Sequence, residues 1–139
     1  MNQEFMFTIL EKPVPQARHR HNYSKCYDPQ YKIRHFFRYL IKQAFMDEEL
    51  DMFTKPTFLT AEFYLPIPKT KALAKKKGLY HTSKSDLDNL LKFILDCMTG
   101  IVYKDDSIVC KILSSKMYSQ IPRVKINIKE IDQEPIEEA

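Results

Sequence analysis

Four short segments of the chain have the apolar pattern of β-strands. In two of them, residues 58–65 and 124–129, apolar and polar side chains alternate, as in a strand with one buried face. A run rich in phenylalanine and isoleucine predicts a strand over residues 4–10, and residues 108–117 predict the fourth. Prolines follow the 4–10 and 58–65 strands, where they stop the ladder of main-chain hydrogen bonds.

Two longer segments have apolar residues at helical spacing. The first begins at an Asp28-Pro29 cap, with proline at the first helical position, and ends near Asp47. One side is predicted to face the core, and the other to be a basic surface with Lys32, Arg34, Arg38 and Lys42. The second helix follows Ser85, its candidate cap, and ends at Gly100.

The order of these elements predicts the fold class. A short lysine-rich helix is also predicted over residues 70–77, and polar loops over residues 12–27 and 79–85. The order β-α-β-(α)-α-β-β indicates an α+β domain, in which a mixed or mostly antiparallel sheet packs against two main helices. Since 139 residues have room for one core, we assign residues 1–131 to a single domain. We expect the acidic tail, residues 132–139, to be frayed.

Composition narrows the class of protein. No apolar run is long enough to span a bilayer, and the first residues lack the pattern of a secretory signal. We therefore expect a cytoplasmic protein without a membrane partner. Three scattered cysteines, Cys26, Cys97 and Cys110, argue against a disulfide framework, and Cys97 is predicted to be a core thiol. Two glycines are too few for the glycine-rich loops that bind nucleotides.

Positive charge is concentrated in the body of the chain. Five of the 18 acidic residues lie within residues 130–139, so residues 1–129 carry a net charge of +9. Residues 12–42 contain eight basic residues and one acid, and residues 69–84 contain six lysines and no acid. This pattern indicates a partner rich in phosphates, although a solvated basic surface accounts for it equally well.

Four aspartates stand out in this basic body: Asp86, Asp88, Asp105 and Asp106. The first two begin the second helix and the others follow its end, so they form one site only if residues 100–104 run back along the helix. We expect Asp86 to be extended or at the cap. Converging carboxylates suit Mg²⁺ or Mn²⁺, which can activate water for phosphodiester hydrolysis. Lys92, at i+4 from Asp88, would add an ammonium beside the phosphate. The alternative is that the aspartates cap the helix and the turn, and that Lys92 forms a surface ion pair with Asp88.

Two motifs carry a family resemblance: the run S-D-L-D-N-L-L-K-F-I-L-D over residues 85–96 and the D-D-S turn over residues 105–107. They resemble the central signature of the RusA family of Holliday junction resolvases. The proline- and arginine-rich residues 13–20 resemble the family's loop after the first strand, although His19 stands where proline is usual between the arginines. Lys116 and the last strand also match, so the resemblance covers most of residues 5–131.

The resemblance implies a homodimeric, Mg²⁺-dependent endonuclease that cuts four-way DNA junctions symmetrically, in recombination and repair. By position, the metal-binding catalytic acids are Asp86, Asp88 and Asp106, with Asp105 as a further metal ligand, and Lys92 is the essential lysine. A dimer also follows from symmetry, because two nicks related by a two-fold axis require two sites related by that axis. Asp96 is expected to support the site indirectly or to form a salt bridge. We assign DNA contacts to Arg18, Arg20, Lys25, Lys84 and Lys116.

Two other functions stay open from the sequence. One is a nuclease specific for flaps, forks or RNA, and the other is a non-catalytic junction-binding protein on the same scaffold. The intact acid set favours a nuclease, but recognition of DNA shape leaves no short motif that would identify the substrate. His19, His21 and Cys26 lack a fourth zinc ligand, so phosphate contacts are the better interpretation. Three tyrosines among the bases either stack on exposed bases or pack at an edge: Tyr23, Tyr27 and Tyr80.

Overall fold

The structure, a computed structural model, describes residues 2–17, 20–22, 25–69 and 77–138. Six strands and two helices lie in these ranges: β1 (Glu4–Ile9), β2 (Arg20–Asn22), β3 (Lys25–Tyr27), α1 (Tyr31–Asp47), β4 (Thr57–Pro66), α2 (Leu87–Met98), β5 (Val109–Ser119) and β6 (Arg123–Glu130). One 3-10 turn, Asp106–Ile108, leads into β5. The lysine-rich helix predicted over residues 70–77 lies almost entirely outside the described residues.

Four strands form one mixed sheet in the order β1-β6-β4-β5. β6 pairs antiparallel with β1 and with β4, whereas β4 and β5 are parallel, with Thr57 opposite Val109 and Pro66 opposite Ser119. Parallel strands need a long crossover connection, and here α2 lies in that connection. The predicted α+β fold, with a mixed sheet and two main helices, is confirmed.

One face of the sheet carries the core. The alternating pattern of β1, β4 and β6 buries every second residue, such as Phe5 in β1 and Phe63 in β4, and the helices cover this face with Phe37 of α1 and Phe93 of α2. The rings of Phe37 and Phe93 meet edge to face, with centroids 5.4 Å apart. Cys97 is fully buried, and burial raises the pKa of its thiol to about 12, which confirms it as a core thiol.

The start of α1 differs from the prediction. The helix begins at Tyr31, and the N-cap is Gln30, which makes no capping hydrogen bond with its side chain. The Asp28 carboxylate instead accepts a hydrogen bond from the Gln30 amide at 2.9 Å and pairs with Arg34 Nε at 2.9 Å. The predicted Asp28-Pro29 cap is therefore wrong, because Asp28 holds the turn that precedes the helix.

The predicted basic side of α1 is only partly solvated. Arg34 and Arg38 are half-buried and turn towards α2, while Lys32 and Lys42 stay exposed. Arg38 Nη1 donates to two carbonyls of the last turn of α2, those of Asp96 and Cys97, at 3.3 and 3.1 Å, and to the carbonyl of Thr99, the C-cap, at 2.6 Å. A helix leaves its last carbonyls unpaired, so Arg38 is used as a cap for α2 rather than as a surface charge.

Two regions outside the main sheet complete the fold. The loop predicted over residues 12–27 contains the antiparallel hairpin of β2 and β3, in which Arg20 lies opposite Tyr27. Three-residue strands are too short to produce a recognisable alternation, so the sequence did not predict them. Residues 131–138 have no regular secondary structure. Neither described helix combines the length and the apolar character that crossing a membrane requires.

Candidate active site

The first acid pair lies at the amino end of α2. Asp86 is the N-cap, with an extended backbone at φ −64° and ψ 139°, and its carbonyl accepts from the amides of Asn89 and Leu90 at 3.1 Å each. Asp88 lies in the first helical turn, and both carboxylates are exposed. The expected extended conformation of Asp86 is confirmed. The predicted cap at Ser85 is wrong, because Ser85 lies one residue outside the helix with φ +93°.

The side chains of Asp86, Asp88 and Lys92 do not make the contacts that the alternative of helix capping and a surface ion pair requires. Asp86 makes no capping hydrogen bond with its side chain, and Asp88 Oδ1 accepts only from the neighbouring Asn89 amide, at 2.9 Å, among the described residues. Lys92 is exposed one turn further along, and within the described ranges it forms no ion pair with Asp88 shorter than 4.0 Å. The amino end of α2 thus presents two carboxylates and one ammonium to solvent.

The second acid pair lies in the 3-10 turn before β5. Asp105 is the N-cap of this turn, and its Oδ2 accepts from the Ser107 amide at 3.3 Å. Hydrogen bonds from the side chain and backbone of Ser107 hold the pKa of the Asp105 carboxyl below its usual value. Asp106 is half-buried. Burial, and then the charge of Asp106, raises the pKa of Tyr103, whose hydroxyl donates to the Leu95 carbonyl at 2.8 Å.

The two acid pairs flank α2 along the chain, the first at its amino end and the second in the turn that follows residues 99–104. At about 1.5 Å per residue, the 12 residues of α2 separate its ends by about 18 Å. Residues 100–103 form turns rather than an extended return, since the Val102 amide donates to Met98 O at 3.0 Å and the Gly100 amide to Tyr103 O at 2.7 Å. In the part of the chain that the structure describes, no three carboxylate, imidazole or thiol groups are close enough to hold one metal ion. The return of residues 100–104 along the helix, on which a single site within one chain depends, is therefore not formed, and the roles of the four aspartates as metal ligands stay a prediction.

The side chain of Lys116, on β5, contacts the loop that leads into α2. Its Nζ donates to the carbonyls of Ser85 at 2.8 Å and Ser83 at 3.1 Å. Of the other residues assigned to DNA, Lys84 is exposed in this loop, and Arg20 and Lys25 lie on the β2–β3 hairpin. Arg18 lies outside the described residues. Their contacts with DNA stay predictions.

A network that the sequence did not predict joins the amino-terminal loop to α2. The Gln16 amide donates to Asn89 O at 2.8 Å, and its side-chain Nε2 donates to Asp96 Oδ2 at 3.2 Å. Arg34 lies 3.8 Å from the same Asp96 oxygen, which confirms Asp96 as a salt-bridge partner. These contacts hold Gln16, in the basic loop over residues 12–27, against α2. No sequence pattern marks Gln16, because its partners on α2, Asn89 and Asp96, are more than 70 residues away.

The remaining candidates stay untested. His19 and Tyr23 lie outside the described residues, and His21, Cys26 and Tyr27 belong to the β2–β3 hairpin. Tyr80 is 70% exposed beside β5, where it forms an antiparallel bridge with Met117. Its ring is accessible to a partner, and stacking on a base stays a prediction.

Comparison with known proteins identifies related chains. The model of the family described as endodeoxyribonuclease RusA matches residues 11–129. The protein YqaN of Bacillus subtilis (strain 168) is 34% identical over 136 residues, which cover 90% of this chain and 95% of YqaN. The matched region contains both acid pairs, Lys92 and Lys116.

Proposed function

Because the chain belongs to the RusA family of endodeoxyribonucleases, we propose that it is a Mg²⁺-dependent endonuclease that resolves four-way DNA junctions by symmetric paired nicks. The family match carries this proposal. The exposed carboxylates of Asp86 and Asp88 support it, because they are not used to cap α2. Recombination and repair are the processes in which such junctions need to be resolved.

The donor atoms at the amino end of α2 fit a hard divalent cation. Asp86 and Asp88 would hold it, since Mg²⁺ is commonly bound by one or two carboxylates and completes its shell with water and substrate phosphate, and Mn²⁺ accepts the same donors. When bound, the ion would supply an activated water and neutralise charge on the scissile phosphate. Lys92 lies on the same helix one turn away, where its ammonium can stabilise the negative charge that grows on the phosphate during cleavage.

We propose that the second acid pair acts across a homodimer. Within one chain, Asp86 is the N-cap of α2, a helix about 18 Å long, and Asp106 follows its other end, and the described residues contain no cluster of three groups able to hold an ion. A two-fold axis can place Asp106 of one copy, with Asp105 beside it, at the amino end of α2 of the other copy. Such a dimer has two equivalent sites, as symmetric nicking requires.

The basic segments are the proposed DNA-binding surface. Gln16 holds the start of the amino-terminal loop against α2, so Arg18 and Arg20 follow within four residues of an anchored point. Lys84 is exposed two residues before Asp86. Phosphate contacts by such residues, with Lys25 on the hairpin, would orient the junction without reading its sequence.

The test is the cleavage of a labelled four-way junction beside linear duplex, flap and fork substrates with the same arm sequences. Each substrate is incubated with Mg²⁺, with Mn²⁺ and with a chelator. We expect paired nicks in the junction in either metal and none in the chelator. Preferential cutting of the flap or fork would assign the other substrate class, and tight junction binding without cleavage would identify a non-catalytic binding protein.

Variants of the acids connect the activity to this site. Asp86→Asn and Asp88→Asn should abolish cleavage while junction binding and the melting temperature stay near those of the wild type. Asp47→Asn, an exposed acid at the end of α1, is the matched control and should cleave normally. An active Asp88→Asn protein in Mg²⁺ would show that the metal site lies elsewhere.

A further inference from the structure

We infer that Lys116 is a positioning residue, which orients Asp86 through the backbone of the loop before α2 and so sets the metal affinity of the site. Its ammonium donates to the carbonyl oxygens of Ser85 at 2.8 Å and of Ser83 at 3.1 Å. Ser85 immediately precedes Asp86. The role in metal binding rests on the proposed function, whereas the role in ordering the loop does not.

The backbone of Ser85 needs such support. Its φ of +93° lies in a backbone region that residues other than glycine rarely adopt. Conformations of this kind persist only where surrounding contacts hold them, and they are concentrated at functional sites. The Lys116 ammonium is such a contact, since it binds the Ser85 carbonyl directly.

The contact acts on Asp86 through the peptide bond between the two residues. The carbonyl of Ser85 and the amide nitrogen of Asp86 belong to one planar unit, so fixing the first also fixes the second. The Asp86 carbonyl then accepts the first helical hydrogen bonds of α2, from Asn89 and Leu90 at 3.1 Å. Lys116 therefore determines where the Asp86 side chain leaves the backbone relative to α2.

The main chain around Lys116 anchors the earlier part of the same loop. The His81 amide donates to Lys116 O at 3.0 Å, and the Tyr118 amide donates to Leu79 O at 2.9 Å. The hydroxyls of Ser83 and Tyr118 are 3.0 Å apart. Residues 79–83 thus follow the edge of β5, and the side chain of Lys116 extends this attachment to Ser85, next to the first proposed ligand.

This role differs from a DNA contact in what it predicts. An ammonium has three N–H donors, and two of those of Lys116 bond to main-chain carbonyls. If Lys116 mainly contacted phosphate, its loss would weaken junction binding and leave the metal affinity unchanged. If it orients Asp86, its loss weakens metal binding even when no DNA is present.

The experiment compares Lys116→Met with Lys116→Arg and with Lys111→Met, a matched control on an exposed position of the same strand. Mn²⁺ binding is measured by electron paramagnetic resonance on the DNA-free protein, and junction affinity is measured in chelator. We expect Lys116→Met to weaken Mn²⁺ binding by about 10- to 100-fold, the usual cost of losing a residue that supports a metal ligand. Lys116→Arg should retain most of the affinity, because a guanidinium can donate to both carbonyls. Lys111→Met should match the wild type.

A compensating change separates loop ordering from general damage to the fold. Glycine adopts φ +93° without strain, so adding Ser85→Gly to Lys116→Met should restore part of the Mn²⁺ affinity. Hydrogen exchange on the metal-free protein should show faster exchange of the Asn89 and Leu90 amides in Lys116→Met, and slower exchange again in the double variant. The melting temperatures identify any variant that fails to fold. If Lys116→Met does not fold, the single variants Lys116→Arg and Ser85→Gly are used to test whether Lys116 orders the loop.

Two results would overturn the inference. Unchanged Mn²⁺ binding with reduced junction affinity would make Lys116 a DNA contact, and unchanged exchange at Asn89 and Leu90 would show that it does not order the loop. If the wild-type protein neither binds Mn²⁺ nor cleaves DNA with metal, the proposed function fails, and with it the role of Lys116 in metal binding. The exchange rates then still decide whether Lys116 orders the start of α2.

Discussion

Two inactive variants should restore activity to each other if the metal site is shared between two copies. Asp86→Asn removes a carboxylate at the amino end of α2, and Asp106→Asn removes one in the turn that follows its carboxyl end; the 12-residue helix between them is about 18 Å long. A carboxylate oxygen that binds Mg²⁺ lies about 2.1 Å from the ion, and the described part of one chain brings no three such groups together. Each variant alone should therefore lose cleavage, on the order of 10²-fold or more.

Mixing the two variants produces a defined fraction of intact sites. Random assembly of equal amounts gives about one half mixed dimers, and each mixed dimer has one site with both carboxylates and one site with neither. About one quarter of all sites in the mixture are then intact. Because no dimer has two intact sites, the mixture should nick one strand and should not resolve the junction.

A supercoiled plasmid that extrudes a cruciform distinguishes these products. The wild type should make linear plasmid by paired nicks, whereas the mixture, refolded together to exchange subunits, should make nicked circles. The control is a mixture of Asp86→Asn with Asp88→Asn, which alters one end of α2 in both copies and creates no intact site. If the first mixture is no more active than this control, the reasoning that the site is shared across the dimer is refuted.

Three further predictions concern charge. Lys92→Ala should lower the single-turnover rate on the order of 10²-fold, with junction affinity in Ca²⁺ unchanged; a wild-type rate would exclude Lys92 from catalysis. Junction affinity should fall steeply with salt, and Arg18→Ala and Arg20→Ala should each flatten the slope of log K against log salt by about 1; equal slopes would leave these residues without phosphate contacts. Arg38→Ala should lower the free energy of unfolding in urea by about 2 kcal/mol, since charged hydrogen bonds to the end of α2 are lost; Lys42→Ala, exposed on the same helix, should have no such effect.

The sequence by itself determined the local elements and the chemistry that the chain can offer. The alternation over residues 58–65 and 124–129 predicted β4 and β6 to within one residue at each end. The spacing of leucines predicted α2, and the acid run at its start pointed to the RusA family, which the family match confirms. These features depend on neighbouring residues, because burying one face of a helix or strand imposes its period on a short stretch of chain.

The tertiary structure decided how these parts face one another. Thr57 pairs with Val109 in a parallel register, and Gln16 is held against Asn89, although more than 50 residues separate the members of each pair. Because tertiary contacts also position them, Arg34 and Arg38 serve as internal partners of α2 rather than as surface charge. Tertiary contacts also decide the placement of the two acid pairs, which the sequence places within 20 positions and which form no metal-binding cluster among the described residues of one chain. Contacts between distant residues have no periodic pattern in the sequence, and the geometry of α2 and β5 determines which carboxylates can meet.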